Sequence, residues 1–205
     1  MLRGTRDDYP HVTGELLDGA ARPSAKGTVV KIKTISVAFS DSPLGRVLVA
    51  ATTTGLCAVY LGDNDSPLLD ALRAGFPFAS INLAETQVTS AAIAAITAYL
   101  RNEADLPPLP LDPVGTPFQQ QVWQALRAIP RGSTRTYGQL AGALGLPVTA
   151  ARAVGRACAA NPLAVVVPCH RALGADGNLR GFRWGLGRKR ALLALEGVLL
   201  PELDL

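Results

Sequence analysis

The sequence predicts a mixed α/β (α+β) chain, in which a small antiparallel-sheet domain with helices precedes a helical domain containing a helix-turn-helix. Apolar, strand-like segments separated by turn sequences occupy the first half. Segments with helix-capping signals occupy the second half. Residues 106–115 lie between them and carry four prolines in ten positions, which is typical of a stiff linker.

Composition limits the class of protein. The chain has 205 residues, 48% hydrophobic and 18% charged, which is typical of a globular protein with one large or two small domains. Its three cysteines are an odd number without zinc-like spacing, so we expect neither a disulfide framework nor a metal site. Neither a membrane-spanning segment nor a secretory signal is apparent, so we expect a cytoplasmic protein without membrane contact.

The charge balance changes sign close to the linker. Residues 113–197 carry 11 Lys and Arg, ten of them Arg, against only Asp176 and Glu196. This pattern favours a polyanion-binding half, with a solvated basic face as the alternative. The predicted segments are a flexible leader (1–28), an α/β domain (29–112), a second domain (113–197) and a tail (198–205).

The first half contains three predicted strands and two predicted helices. The strands are "VVKIKTISVAFS" (29–40), "GRVLVAAT" (45–52) and "GLCAVYLG" (55–62). Ser66 as the N-cap and Pro67 at the first helical position predict a helix over 66–76, and a longer helix follows over 85–103. Cys57, on the third strand, is expected in the core.

The second half shows two capping boxes. Thr116 with Gln119, and Thr136 with Gln139, match the T-x-x-Q pattern of a helix start. A turn of three or four residues then leads into "TAARAVGRACAAN" (149–161), so the pair predicts a helix-turn-helix. The second helix is rich in Ala and Gly and carries two arginines at i, i+4, Arg152 and Arg156.

A predicted buried strand, "LAVVVPCHR" (163–171), ends in a cysteine and a histidine and opens a glycine-rich loop (174–187). A reachable thiolate is a nucleophile, and the chain has only two histidines that could serve as its base, His170 and His11. Direct contact between Cys169 and His170 requires a turn after Pro168 or a bridging water. Glu196, on the last predicted helix (188–197, closed by Gly197), could orient the imidazole. An inert core cysteine is the alternative.

The sequence resembles the O6-alkylguanine-DNA alkyltransferases, also called methylated-DNA–protein-cysteine methyltransferases, including the repair domain of the bacterial Ada response protein. The resemblance covers about residues 35–197. It is carried by "SPLGRVLVAATTTGLCAVYLGD", "GTPFQQQVWQALRAIPRGSTRTYGQLA", "AARAVGRACAANP", "PCHR", "GFRWG" and "KRALLALEG".

The resemblance implies a ribonuclease-H-like first domain and a suicide acceptor. Cys169 would take the alkyl group irreversibly from guanine O6, with His170 acting through a water and Glu196 behind it. Asn161 matches the family's hinge. Tyr137 and Arg152 match residues that contact a flipped nucleotide and fill the stack, and Arg171 is assigned to DNA binding with them. The implied partner is double-stranded DNA containing O6-alkylguanine, bound by a monomer; O4-alkylthymine activity and cooperative assembly on DNA stay open. No cofactor is implied.

Guanine O6 lies within the stacked duplex, so a thiol held in the protein requires the nucleotide to rotate out. A helix faced with Ala and Gly suits close approach to the minor groove. The sequence departs from the family pattern in two places: the interval from Tyr137 to Arg152 is one residue longer, and Phe182 replaces a tyrosine. Two alternatives are a non-catalytic helix-turn-helix sensor of alkylated DNA and a cysteine hydrolase.

Overall fold

The computed structural model describes residues 34–200, and the predicted leader lies outside them. A four-stranded sheet contains β1 (Thr34–Ser42), β2 (Gly45–Ala51), β3 (Leu56–Gly62) and β4 (Ser80–Asn82). Its strand order is β3-β2-β1-β4, in which β1 pairs antiparallel with β2 and β2 antiparallel with β3. The three predicted strands pair antiparallel as expected, and β4, which was not predicted, pairs parallel with β1 and makes the sheet mixed.

Both faces of this sheet are buried. Consecutive residues of β2, such as Val47 and Leu48, point to opposite faces and belong to two separate apolar clusters. One face packs on the first helix through Leu68 and Leu72. The other face, which includes Val59, shares a single core with the second helix and with the carboxy-terminal half. Burial on both sides explains why the strands are almost continuously apolar.

Six helices and a second, two-stranded sheet complete the described chain. The helices are α1 (Asp65–Gly75), α2 (Gln87–Leu100), α3 (Pro117–Arg127), α4 (Tyr137–Ala143), α5 (Ala151–Ala159) and α6 (Leu186–Leu195). The short strands β5 (Arg135–Thr136) and β6 (Ala172–Leu173) pair in parallel. Within residues 34–200 no helix is long and apolar enough to cross a bilayer.

The capping predictions are confirmed for α3 and α4. The hydroxyls of Thr116 and Thr136 accept from the backbone N–H three residues on. In return, the side-chain oxygens of Gln119 and Gln139 accept from the backbone N–H of the two threonines. The start predicted for α1 was wrong, because Asn64 is its N-cap and Pro67 occupies its third position. The helix predicted over 85–103 is α2, and it is shorter than predicted. A capping box at Thr86 sets its start at Gln87, and it ends at Leu100.

The free edge of β3 is covered by two segments of distant sequence. The linker lies along this edge, where Leu56 N–H donates to Pro110 O at 2.9 Å. Further along, Val59 N–H donates to Pro162 O at 2.8 Å, and Ala164 N–H donates to Val59 O at 3.0 Å. The segment that leads to Cys169 is therefore pinned to the amino-terminal sheet by main-chain hydrogen bonds.

The buried strand predicted over 163–171 is absent. Leu163 makes one isolated bridge to Val59, and the chain then turns, with Val165 in the left-handed region at a φ of 69°. A 3-10 helix follows at residues 169–171. The segment is buried as predicted, but its backbone groups bond within the turn, as Val167 N–H does to Leu163 O at 2.9 Å.

The turn between α4 and α5 is longer than predicted. Gly145 has a φ of 71° and ends the α4 region. A 3-10 turn at Val148–Ala150 then precedes α5, which begins at Ala151, two residues later than predicted. The two helices still pack together as a helix-turn-helix pair.

Candidate active site

Cys169 opens the 3-10 turn directly after Pro168, and its residue is 8% exposed. The side-chain amide of Asn161 donates to Cys169 Sγ at 3.2 Å and to Val167 O at 2.8 Å. The Asn161 carbonyl accepts from Leu163 N–H at 3.0 Å. Asn161, just past the end of α5, thus fixes the buried turn and places a hydrogen-bond donor on the sulfur.

His170 is fully buried beside the cysteine and pairs with Glu196. His170 Nε2 lies 2.6 Å from Glu196 Oε1, and Glu196 is the C-cap of α6. The Nδ1 atom of His170 is buried and makes no hydrogen bond to any group within residues 34–200. Because an ionised Glu196 requires Nε2 to carry the proton, Nδ1 is the ring nitrogen left to accept one.

The Glu196 carboxylate also receives donors from three other parts of the chain. Arg171 Nε donates to Oε2 at 2.8 Å and Arg171 Nη2 to Oε1 at 3.0 Å. The hydroxyl of Tyr99, in α2, donates to Oε1 at 2.5 Å, and Gly132 N–H donates to Oε2 at 3.3 Å. Arg171 additionally donates to Ile129 O and to the Tyr99 hydroxyl. Its predicted contact with DNA stays a prediction.

The electrostatics agree with this geometry. Burial raises the pKa of Cys169, while the Asn161 hydrogen bond and the Lys189 charge oppose that rise. Burial lowers the pKa of His170, against the pull of Glu196, so its neutral form is favoured. Burial alone would raise the pKa of Glu196, but hydrogen bonds from His170 and Arg171 bring it down to about 2.

Lys189 in α6 is a fully buried lysine close to the acceptor. Its Nζ donates to Ala172 O at 2.7 Å and to Arg180 O at 3.1 Å, so it ties β6 to the glycine-rich loop. Burial lowers the pKa of Lys189 to about 8, against the opposing effect of Cys169. Two main-chain carbonyls accept from its ammonium group, and no carboxylate of residues 34–200 forms an ion pair with it.

Of the three residues predicted to contact DNA, Tyr137 and Arg152 lie on the helix-turn-helix, and Arg171 lies in the acceptor turn. Arg152 and Arg156 are exposed on α5. Tyr137 is half-buried at the start of α4, and its ring faces Gly155, where a Cβ atom would lie 3.9 Å from ring carbons. Pairing of β5 with β6 brings this tyrosine towards the acceptor turn, since Thr136 is opposite Leu173.

The structure thus brings Cys169, His170, Glu196 and Asn161 into one cluster, with Arg171 in its wall, and places Tyr137 and Arg152 on the adjoining helices. Sequence reasoning missed two contributors, Tyr99 and Lys189. In the sequence both are ordinary residues of the helices predicted over 85–103 and 188–197. Within residues 34–200 no group of three or more His, Cys, Asp or Glu could hold a metal ion.

Comparison with protein families gives two adjacent matches. Residues 35–113 match the model described as "6-O-methylguanine DNA methyltransferase, ribonuclease-like domain", and residues 117–198 match its "DNA binding domain". The Ada protein of Escherichia coli, a "bifunctional transcriptional activator/DNA repair enzyme", is 49% identical over 79% of this chain. The chain spans 45% of the length of that relative. A methylated-DNA–protein-cysteine methyltransferase of Mycobacterium leprae is 42% identical over 76% of this chain and 88% of its own length.

Solved structures show the same architecture. The O6-methylguanine methyltransferase of Mycobacterium tuberculosis superposes with a TM-score of 0.66 at 38% identity, covering 79% of this chain and 92% of the relative. A Mycobacterium tuberculosis OGT in complex with DNA gives a TM-score of 0.65 at the same identity, covering 80% and 92%. The mixed sheet domain followed by a helical domain is therefore the arrangement found in these relatives.

Proposed function

This chain belongs to the 6-O-methylguanine DNA methyltransferase family, and we propose that it repairs O6-alkylguanine in DNA by moving the alkyl group onto Cys169. The observation that carries the proposal is the buried His170–Glu196 pair next to a buried cysteine whose sulfur accepts from Asn161. A structural cysteine needs neither a neighbouring base nor a donor aimed at its sulfur.

The cluster supplies a route for the thiol proton. Glu196 holds the proton of His170 on Nε2, so Nδ1 can accept the Cys169 proton through one water molecule. Asn161 then stabilises the thiolate through its 3.2 Å contact with Sγ. Burial, which raises the thiol pKa, keeps the free cysteine protonated and protected until substrate is bound.

The transfer itself is an in-line displacement. The Cys169 sulfur attacks the alkyl carbon, a C–S bond forms and the bond between that carbon and guanine O6 breaks, leaving its electrons on the base. The proton taken by His170 returns to the guanine ring, so normal guanine and a neutral thioether are the products. A thioether has no hydrolysable bond, so each protein molecule reacts once.

Double-stranded DNA is the proposed partner. The relative solved with DNA supports this assignment, as do the exposed Arg152 and Arg156 on α5. Because the acceptor is 8% exposed, the guanine has to leave the stack to reach it. We assign Arg152 to filling the vacated space and Tyr137 to contacting the rotated nucleotide. A cytoplasmic, reducing location fits an acceptor that must stay a free thiol.

The stoichiometry of repair tests the proposal. Duplex DNA with one O6-methylguanine is titrated with protein, and demethylation is read by a restriction site that the lesion blocks. We expect one lesion repaired per protein molecule and none after the protein is exhausted. Binding without loss of the alkyl group would support the non-catalytic sensor, and turnover of esters or peptides would support the hydrolase.

A further inference from the structure

One side chain of the amino-terminal half reaches the acid-base pair. Tyr99, in α2, is 3% exposed, and its hydroxyl donates to Glu196 Oε1 at 2.5 Å. The same oxygen lies 2.6 Å from His170 Nε2. We infer that Tyr99 is a positioning residue for the alkyl transfer, because its hydroxyl holds the Glu196 carboxylate against the His170 imidazole. This inference rests on the proposed function.

The tyrosine is itself held in place. The guanidinium of Arg131 lies over the Tyr99 ring, 5.0 Å from its centroid. Arg131 also donates to Asp105 at 2.7 Å and to Leu195 O at 3.3 Å. These contacts tie the end of α2, the chain that follows it and the end of α6 together. The hydroxyl therefore has a fixed direction, which a positioning role requires.

Tyr99 changes the charge that His170 senses. Burial raises the pKa of Tyr99 to about 12, so its hydroxyl is a proton donor throughout the neutral range. A donor on Oε1 draws negative charge from the carboxylate, so Glu196 stabilises a protonated His170 less strongly. Within residues 34–200, the other charged groups that act on the pair are the cations Arg171, Lys189 and Arg131, of which Arg131 is itself paired with Asp105. They act in the same direction as Tyr99 and keep the imidazole neutral as a base.

The test removes one hydroxyl in each of two buried tyrosines. Tyr99→Phe is compared with Tyr60→Phe, because Tyr60 is equally buried in the same half but packs on Trp184 instead of Glu196. Both are made in a His11→Ala background, which leaves His170 as the only histidine. NMR follows the titration of His170, and the rate of transfer from O6-methylguanine duplex is measured against pH. Affinity for unmodified duplex serves as the DNA-binding readout.

For Tyr99→Phe we expect the His170 midpoint to rise by about half a pH unit or more, and the acid limb of the rate profile to move with it. The plateau rate should fall about three- to tenfold with unchanged affinity for DNA, since the carboxylate is less well held. Tyr60→Phe should change none of these. A lower melting temperature with unchanged His170 midpoint and rate profile would overturn the inference.

A second measurement covers the case in which Tyr99→Phe does not fold. The parent protein is labelled with 13C at tyrosine Cζ, and the Tyr99 signal is followed against pH. We expect it to shift at the His170 midpoint, and a signal that does not respond there overturns the inference. If the parent protein transfers no alkyl group, the proposed function fails, while these two NMR readouts still decide the contact.

Discussion

The Glu196 carboxylate accepts from five donor atoms, which belong to Tyr99, Gly132, His170 and, twice, Arg171. A buried carboxylate is tolerated only when its oxygens are satisfied and its charge is paired. Here the pairing does chemical work as well, because it selects which nitrogen of His170 carries the proton. Stability and reactivity at this position therefore depend on the same hydrogen bonds.

The pKa of Glu196 makes stability depend on pH in a defined window. Burial opposes ionisation, but His170 and Arg171 hold the folded pKa at about 2, against 4.5 for the free side chain. A lowered pKa stabilises the fold above the unfolded value, so this contribution is present above pH 4.5 and disappears as pH falls towards 2. The difference between these two pKa values corresponds to a contribution of Glu196 to the free energy of unfolding on the order of 3 kcal/mol.

Urea titrations of the parent protein and Glu196→Gln at several pH values measure this contribution. We expect the parent to be the more stable above pH 4.5, with the difference shrinking as pH falls. His170 adds a loss of stability below pH 6.5 in both proteins, because burial lowers its folded pKa. A difference between the two proteins that does not change with pH would contradict this account of Glu196.

The sequence pointed to Cys169, His170 and Glu196 because these residues are rare or isolated in this chain, whereas Asn161 was assigned from the family resemblance. Their convergence depends on α6 returning to the acceptor turn, and capping signals predicted that helix. Tyr99 and Lys189 could not be found in this way. The partner of Tyr99, Glu196, lies 97 residues away, and a tyrosine on an apolar helix face predicts only burial. Lys189 donates to main-chain carbonyls, which no residue type in the sequence marks.

At the scale of elements, the acceptor turn shows where pattern reasoning fails. Four consecutive apolar residues, 164–167, resemble a buried strand, yet the chain turns there and Val165 adopts a φ of 69°. A β-branched residue rarely has that conformation, and surrounding packing and the Asn161 hydrogen bonds impose it. By contrast, the starts of α3 and α4 depend on local capping chemistry and were predicted correctly.

Two glycines of the helix-turn-helix should respond oppositely to alanine. Gly145 has a φ of 71°, so Gly145→Ala should lower the free energy of unfolding by about 1 kcal/mol despite open space around it. Gly142 lies within α4 and also faces open space, so Gly142→Ala should raise it by about 0.5–1 kcal/mol. Urea denaturation measures both, and the same sign for both variants would contradict this backbone assignment.

Arg152 should affect the rate of alkyl transfer from duplex DNA but not from a free base. If its side chain fills the stack, Arg152→Ala slows transfer from O6-methylguanine duplex about tenfold or more, whereas reaction with a free O6-alkylguanine base is unchanged. Arg73→Ala is the matched control, because Arg73 is exposed on α1 in the other half and pairs with Asp70. Equal losses on both substrates would place Arg152 in the chemical step instead.

At the scale of the whole molecule, the two halves share one apolar core. Val47 and Val59 of the sheet belong to the same cluster as Trp123 of α3 and Leu163 of the acceptor turn. Main-chain bonds from β3 to residues 162 and 164 reinforce this contact. The linker, predicted from its prolines as a spacer, is itself hydrogen-bonded to β3. The sequence could not show this, because proline content predicts stiffness and not the surface on which a segment lies.

A shared core predicts a single unfolding transition. Far-UV circular dichroism reports the whole backbone, whereas tryptophan fluorescence reports the surroundings of Trp123, in the shared core, and of Trp184, which packs on Tyr60. We expect the two signals to change together on heating and in urea. Separate midpoints would show that the halves are independent domains.

The central claim is that Cys169 receives the alkyl group, and the mass of the intact protein tests it most directly. The protein is incubated with a duplex containing one O6-methylguanine and then digested for peptide mapping, with Cys169→Ser as the control. We predict a gain of about one methylene, on the peptide that contains Cys169 and absent from the control. Unchanged mass in a protein that still binds the same DNA, or a gain that persists in Cys169→Ser, would contradict the account.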